Sequence, residues 1–268
     1  MPFPVSFHLG PLSIQAHLVF ETLAFFTGFR YFLHLRKGQR DHITENNRVW
    51  IFIGASLGAL IGSRLLGALE SPSALVNGNH PWLQLLGSKT MVGGLLGGLA
   101  GVELIKQRIG ETRSSGDLFT FPLILGIIIG RIGCFLNGMA EPVFGLQTSW
   151  ITGMDLGDGQ LRHPVALYEI GFLLLLWLSM RMIEKKFLLQ EGLRFKLFMI
   201  TYLAFRFLLD FIKPREPVLA GLSTIQLACL AGLAYYRVTI FKLIFNQRAL
   251  LRHPQEIQAG NGEQSRQP

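Results

Sequence analysis

The chain has 268 residues, of which 50% are hydrophobic and 16% are charged, and its mean hydropathy is +0.38. A soluble globular domain carries roughly 25% charged residues, and a disordered chain has low hydrophobicity, so this composition excludes both classes. The net charge of +8 could suggest a nucleic-acid-binding protein, but the basic residues lie between apolar segments rather than on one folded face. The composition therefore predicts a polytopic membrane protein.

The cysteine content argues against disulfide and metal chemistry. The chain has two cysteines, Cys134 and Cys229, and both lie inside apolar segments. Neither a disulfide framework nor a thiolate metal site is therefore expected. The first eight residues, MPFPVSFH, lack the basic region and the cleavage site of a signal peptide, so we expect the first apolar segment to be retained.

Seven apolar segments are candidates for membrane crossing, which takes about 20 mostly apolar residues. They lie near residues 12–35, 49–69, 91–105, 118–138, 165–182, 195–212 and 221–245. The third segment is short and rich in glycine, and its small-xxx-small spacing predicts close helix packing. The sequence thus predicts an all-α fold with seven transmembrane helices in a membrane domain of residues 1–253.

The distribution of basic residues predicts the orientation. The connectors after the first, third and fifth segments, together with the C-terminal region, hold 17 Lys and Arg residues, and the opposite side holds four. Because cytoplasmic connectors are enriched in these residues, we expect the N-terminus outside and the C-terminus in the cytoplasm. The connector 139–164 is then an external loop over the membrane surface, and the polar segment 254–268 is a disordered cytoplasmic tail.

Four arginines, at positions 30, 64, 131 and 206, lie inside the predicted spans, and the last three are candidates for function. An arginine at the centre of a span costs roughly 2.5 to 3.5 kcal/mol on insertion scales, so each needs a compensating interaction. Helix geometry places Arg131 and Arg206 about 10 to 12 Å below the external surface, with Arg64 shallower. Among acidic residues, Glu21 falls at comparable depth, Glu169 lies just below the external start of the fifth span, and Asp210 lies one turn above Arg206. We therefore expect a single outward-facing cavity that these charged groups share.

Two interpretations of the intramembrane charges stay open at this point. The charges could neutralise one another as helix pairs, and Asp210 stands four residues after Arg206, the spacing of an intrahelical pair. Alternatively, Arg131 and Arg206 could bind an anion, because guanidinium binds phosphate bidentately and is always charged. At the depth of the outer leaflet the natural anion is a phospholipid headgroup.

Four further segments carry motifs in a characteristic order. They are GRIGCFLNG at 130–138, RHPVALYE at 162–169, YLAFRFLLDFIK at 202–213 and STIQ at 223–226. In this order, over nearly the whole chain, they resemble the signature motifs of the prolipoprotein diacylglyceryl transferase family. Weaker similarity covers LGPLSI at 9–14, GSR at 62–64 and GGLLGG at 93–98.

The resemblance implies a reaction in the bacterial cytoplasmic (inner) membrane. A diacylglyceryl group moves from phosphatidylglycerol to the thiol of the lipobox cysteine in a prolipoprotein, in the first step of lipoprotein maturation. The resemblance implies no metal and no organic cofactor. The site would face the external half of the membrane, and its two partners are the lipid and the prolipoprotein signal peptide.

The resemblance also implies the site residues. The catalytic group comprises Arg131 and Arg206 as a phosphate clamp, with His163, Glu169 and Asp210 as groups that orient the arginines or assist proton removal. The substrate-binding group comprises Arg131, Asn137, Gly138, Arg64, Tyr202 and Gln226.

The chain departs from the family pattern at several positions. Val92 stands where the family has a histidine, which removes a candidate base. His163 is either a replacement base or a residue that hydrogen-bonds the loop to the next helix. His17 and Cys134 are weaker candidates, since each is more often a packed residue in such a position. A catalytically silent lipid-binding protein on the same scaffold is the alternative function, and the absence of repeats disfavours a transporter.

Overall fold

The computed structural model describes residues 3–10, 12–38, 43–73, 81–140, 144–245 and 251–252. Helices dominate these residues, and the prediction of an all-α fold is confirmed. Nine α-helices lie in the described part of the chain: α1 Ala16–Gly38, α2 Glu45–Ala68, α3 Pro81–Gly87, α4 Met91–Ile109, α5 Asp117–Asn137, α6 Val165–Lys186, α7 Leu193–Leu209, α8 Thr224–Tyr235 and α9 Arg237–Phe245. The tail that the sequence predicts at 254–268 lies outside the described residues.

Short strands join the helices in four antiparallel pairs. The pairs are β1 Ser6–Leu9 with β2 Leu12–Gln15, β3 Met154–Asp155 with β4 Leu161–Arg162, β5 Leu188–Leu189 with β8 Leu251–Arg252, and β6 Pro217–Leu219 with β7 Leu222–Ser223. Two 3₁₀ turns continue α5 and α7, at Gly138–Ala140 and Asp210–Ile212.

The chain divides into two units, which are described separately. The first unit contains Met1–Gly38, Gly116–Met199 and Tyr236–Pro268, and the second contains Gln39–Ser115 and Ile200–Tyr235. In the first unit α5 packs against α1 and α6, and in the second α4 packs against α2 and α8.

Three helices of the described residues are long and apolar enough to cross a membrane. They are α2, α5 with its 3₁₀ extension, and α6, and the bent pair α8 and α9 makes a fourth crossing if it counts as one span. The other predicted segments are also helical, as α1, α4 and α7. Membrane crossing by these three, and the orientation of the chain, stay predictions.

The structure corrects the start of two predicted spans. Residues 12–15 form strand β2, so the first helix begins at Ala16, and residues 222–223 form β7, so the last segment becomes helical at Thr224. Positive φ angles at Gly10, Ala220 and Gly221 make the tight turns of these two hairpins. Hydropathy cannot distinguish an apolar strand from an apolar helix, and the predicted segments therefore include both.

Glycines bring α2 and α4 into backbone contact. A Cβ atom added to Gly97 would lie 2.8 Å from the Cα of Gly62 and would collide with the carbonyl oxygen of Gly58. Comparable collisions would follow at the other members of the two rows, Gly54, Gly58, Gly62, Gly93 and Gly101. Both helices therefore carry glycine at every fourth position along the contact, which is the close packing that the small-xxx-small spacing predicts.

An acidic side chain fixes the start of α7. The carboxylate of Asp117, the first residue of α5, accepts hydrogen bonds from the backbone N–H groups of Gly192, at 2.6 Å, and Phe195, at 3.1 Å. Free N–H groups at a helix start need such acceptors, and a negative charge is favourable there. Asp117 thus ties the N-terminal ends of α5 and α7 together.

The glycine contact predicts the effect of one added methyl group. We expect Gly97→Ala to lower the stability of the protein in detergent by about 1 to 3 kcal/mol, because the new Cβ forces α2 and α4 apart. Thermal unfolding of the purified protein measures this change. Gly94→Ala is the matched control, since its Cβ would lie 3.8 Å from its nearest neighbours. Equal melting temperatures for the two variants would contradict the close packing.

Candidate functional site

A buried ion pair joins α5 to α6. Arg131 is 8% exposed and Glu169 is fully buried, and the guanidinium Nε lies 2.8 Å from a carboxylate oxygen of Glu169. Charges in such surroundings are tolerated only with a well-oriented partner, and removing one partner of a buried pair costs about 3 to 5 kcal/mol. The structure therefore brings together two of the five predicted catalytic residues in the first unit.

Glycine within the GRIGCFLNG segment lets α1 approach α5. A Cβ atom on Gly133 would lie 2.8 Å from the Cβ of Phe20 and 3.3 Å from the carbonyl oxygen of His17. On the same helix, on either side of Gly133, the guanidinium Nη1 of Arg131 lies 3.7 Å from the thiol sulfur of Cys134. The thiol is therefore a packing neighbour of the arginine. His17 pairs with Glu21 at 3.6 Å on the same helix.

A small pocket lies beside the end of α5. Its lining is mostly apolar and comes from α5, the following loop and the start of α6, with Cys134, Phe135, Gly138, Phe144, Leu156, Pro164, Val165 and Ala166. The residue that precedes Gly138, Asn137, is only 5% exposed, and its Oδ1 atom has no hydrogen-bond partner among the described residues. Buried acceptors are normally satisfied, so this unpaired oxygen is unusual among the described residues.

Gly138 ends α5 in a conformation that favours glycine. Its φ is +56°, and a Cβ atom would lie 2.6 Å from the Cβ of Phe3 and would collide with the carbonyl oxygen of Leu156. Backbone hydrogen bonds hold the same neighbours in place, from Met139 to Leu156 at 3.2 Å and from Val5 to Leu136 at 2.9 Å. The N-terminal hairpin and the loop after α5 therefore cover the C-terminal end of α5, which contains the GRIGCFLNG motif.

His163 links the loop to α6. Its Nδ1 lies 3.1 Å from the hydroxyl of Tyr168, which in turn lies 2.6 Å from the hydroxyl of Thr152. This is the contact expected of a residue that hydrogen-bonds the loop to the helix, one of the two interpretations left open by the sequence. The role of His163 as a base stays a prediction.

An exposed ion pair stabilises the same loop. Asp158 accepts a hydrogen bond from Nε of Arg162 at 2.7 Å, Nη2 lies 2.7 Å from the same oxygen, and the guanidinium lies over the ring of Phe144. The hydrogen bond from Arg162 holds the pKa of the Asp158 carboxyl below its ordinary value. The pair therefore contributes above the ordinary carboxyl pKa and is lost as the pH falls through the lowered one.

The second unit contains the other buried arginine of the motifs. Arg206 and Tyr202, both on α7, are buried, and so is Asp210, which begins the 3₁₀ turn after the helix ends. The hydroxyl of Ser223 donates a hydrogen bond to Oδ2 of Asp210. From helical spacing we expected Arg206 as the partner of Asp210. The hydrogen bond from Ser223, on the hairpin that follows, was not predicted.

The STIQ segment forms a capping box at the start of α8. The N–H of Ser223 donates to Oε1 of Gln226 at 3.0 Å, and the N–H of Gln226 donates to Oγ of Ser223 at 3.1 Å. Gln226 Oε1 also accepts from Arg215 at 2.8 Å, and Nε2 donates to the carbonyl of Phe207 at 3.4 Å. The Ser-x-x-Gln spacing is a known helix-start pattern and could have predicted this arrangement.

The remaining predicted residues are placed as follows. Arg64 donates from Nη1 to the backbone carbonyls of Leu86 and Ser88, the latter at 3.2 Å. Val92, at the position of the family histidine, is fully buried. Arg64 thus binds backbone of its own unit, and its role in binding substrate stays a prediction.

The buried ion pair predicts a difference between two conservative substitutions. Glu169→Gln leaves Arg131 buried without its counter-charge, and we expect it to lower the free energy of unfolding by about 3 kcal/mol. The exposed pair offers a matched control, because Asp158→Asn removes a solvated charge and should change stability little. Denaturation of both variants in detergent measures the difference. Equal free energies of unfolding would show that the buried pair contributes no more to stability than the exposed pair.

Comparison with known proteins agrees with the motifs. Residues 4–242 match the sequence profile of the family described as prolipoprotein diacylglyceryl transferase. Among similar proteins are three named phosphatidylglycerol–prolipoprotein diacylglyceryl transferase. The protein of Bordetella avium is 31% identical over 80% of this chain and 82% of its own, and that of Bordetella parapertussis is 31% identical over 82% and 87%. The protein of Coxiella burnetii is 27% identical over 81% and 84%. The chain belongs to the prolipoprotein diacylglyceryl transferase family.

Proposed function

We propose that this chain transfers a diacylglyceryl group from phosphatidylglycerol to the thiol of a lipobox cysteine in a prolipoprotein. This function is supported most directly by the buried ion pair of Arg131 with Glu169, which joins the GRIGCFLNG and RHPVALYE motifs. The names of the similar proteins give the two substrates. The reaction takes place in the bacterial cytoplasmic membrane.

The chemistry is alkylation of sulfur. The cysteine thiolate forms a carbon–sulfur bond with the carbon of the diacylglyceryl group that carries the phosphate, and the bond from that carbon to the phosphate oxygen breaks. The electron pair of that bond leaves on the phosphate oxygen, and glycerol phosphate is released. Negative charge develops on the leaving phosphate, so fixed cations beside it lower the barrier. Nearby guanidinium groups also favour the thiolate form of the incoming cysteine.

Arg131 is the first of these cations. The carboxylate of Glu169 lies 2.8 Å from its Nε, and this ion pair restrains the guanidinium before the lipid binds. The terminal nitrogens then face the phosphate in an orientation that costs no rearrangement during the reaction. Glu169 therefore acts by positioning Arg131, which agrees with its complete burial.

Arg206 is the second cation, by its place in the YLAFRFLLDFIK motif. It is buried on α7, and Asp210, which follows it in the motif, is held by Ser223. Gln226 supports the same region through its contacts with Ser223 and Arg215. Asp210 and Gln226 thus position this part of the site, and Tyr202 and Arg64 are proposed to bind substrate there.

His163 is the base that accepts the thiol proton. The hydroxyl of Tyr168 lies 3.1 Å from Nδ1, which restrains the ring and leaves Nε2 as the nitrogen for the thiol proton. Asn137 and Gly138 bind the glycerol phosphate beside it, because the free Oδ1 of Asn137 suits a hydroxyl donor. Glu169 and Asp210 are less suited to the proton transfer, since each is engaged with a partner.

The proposed topology has seven membrane helices in residues 1–253. The N-terminus faces outward, the C-terminus faces the cytoplasm, and the connection 139–164 lies on the external side. The charge count of the connectors supports this orientation. The site then opens to the side on which prolipoproteins emerge.

Mass spectrometry of a lipobox peptide tests the transfer. We expect purified protein, incubated with the peptide and phosphatidylglycerol, to add a diacylglyceryl group to the cysteine and to release glycerol phosphate. A peptide with Cys→Ser should stay unmodified. Absence of the adduct, beside an active family member assayed in parallel, would overturn the proposal and favour a silent lipid-binding protein.

Arginine variants test the mechanism in the same assay. Arg131→Lys and Arg206→Lys keep the positive charge but lose the planar fork, and each should lower turnover by about 100-fold. Arg194→Lys is the comparison, because this arginine pairs with Glu184 and stacks over Phe121 outside the proposed site. Full activity of both clamp variants would remove the arginines from the mechanism.

The base is tested by a pair of substitutions at one hydrogen bond. We expect His163→Gln to lower turnover by about 100-fold with little change in KM, because the proton acceptor is lost while the lipid still binds. Tyr168→Phe removes the hydrogen bond to Nδ1 and keeps the ring, so it should cost far less. Equal losses in the two variants would show that His163 only links the loop to α6.

A further inference from the structure

The loop between α5 and α6 exposes two large apolar side chains at its turn. We call residues 149–152, with the sequence SWIT, the loop tip. Trp150 is 71% exposed and Ile151 is fully exposed, and the flanking Leu146 and Met154 are exposed as well. Single exposed apolar residues are common, but a contiguous group marks an interaction surface.

The loop tip is a structured turn. The N–H of Gly153 donates to the carbonyl of Trp150 at 2.8 Å, and the N–H of Trp150 donates to Oγ1 of Thr148 at 3.2 Å. Next to the turn, the N–H of Thr148 donates to the carbonyl of Leu161 at 2.9 Å. The backbone therefore presents Trp150 and Ile151 outward in a fixed arrangement.

The loop tip lies beside the first turn of a membrane helix. The hydroxyl of Thr152 is 2.6 Å from that of Tyr168, the fourth residue of α6, and the ring of Trp150 packs edge-on against His163. Both α5 and α6 are long and apolar enough to cross a membrane, so the two ends of the loop emerge at one membrane face. The exposed side chains are consequently at the level where α6 enters the bilayer.

The composition of the loop tip is suited to the membrane interface, where α6 enters the bilayer. The segment 146–154, LQTSWITGM, contains no charged residue, so no charge opposes its entry into the headgroup region. Tryptophan favours this region because its ring is apolar and its N–H remains available for hydrogen bonding. We propose that the loop tip binds the lipid interface of the same membrane that α5 and α6 span.

Lipid binding at the loop tip has a consequence for the ion pair. Thr152 and Trp150 contact Tyr168 and His163, and Glu169 follows Tyr168 directly. A loop tip anchored in lipid holds the loop against the first turn of α6, next to the carboxylate that orients Arg131.

Site-specific fluorescence tests the proposal in lipid nanodiscs. Full-length Ile151→Cys, in a background with Cys134→Ser and Cys229→Ala, is labelled with an environment-sensitive dye. We expect roughly twofold quenching by lipids with a nitroxide near the headgroup, and protection from aqueous iodide. Gln160→Cys, on the exposed turn between β3 and β4, is the matched control and should be quenched by iodide alone.

The outcomes separate lipid from other partners. Iodide quenching of the label at position 151 equal to that at position 160, without nitroxide quenching, would overturn the proposal. Protection from iodide only after a lipobox peptide is added would also overturn it and identify a peptide-binding surface. Should the labelled variant fail to fold, unmodified protein and Trp150→Phe are compared instead. The proposal then requires that Trp150→Phe removes a tryptophan component quenched by the same nitroxide lipids, and absence of such a component contradicts it.

Discussion

The structure depends on the requirement that a charge buried among apolar helices has a fixed partner. Arg131 on α5 and Glu169 on α6 meet this requirement, and their contact determines which faces of the two helices pack together. Transfer of either charge from water is costly, so the pair persists only in an arrangement that the surrounding packing enforces. Gly133 and Gly138 provide that packing by admitting α1 and the N-terminal hairpin to the backbone of α5.

The second unit satisfies the same requirement with hydrogen bonds at helix ends. Ser223 donates to the buried Asp210 and, in the capping box, completes the start of α8 with Gln226. A bilayer core offers no water to unsatisfied backbone or side-chain groups, so such contacts are needed wherever polar residues are buried. The glycine rows of α2 and α4 supply the rest of the packing, since direct backbone contact replaces the interlocking of large side chains.

Much of the candidate site follows from the motifs, but its contacts do not. The motifs identify Arg131 and Glu169, yet residues 38 positions apart become partners only when two helices pack. Helical spacing suggests Arg206 as a neighbour of Asp210, whereas the end of α7 and the following hairpin give Asp210 a hydrogen bond from Ser223. Arg64 likewise binds the carbonyls of Leu86 and Ser88, which no local pattern indicates.

The sequence alone determined the class of protein, the approximate places of its helices, the close contact of the glycine rows and the family. Each of these depends on composition, on a periodic pattern or on motifs, which act over short stretches of chain. Only the tertiary structure decided that residues 12–15 and 222–223 are strands, that His163 is held by Tyr168, and that Trp150 and Ile151 are left exposed. The reason is that partner choice and exposure depend on groups distant in sequence, whose approach is fixed by packing and by the satisfaction of buried polar atoms.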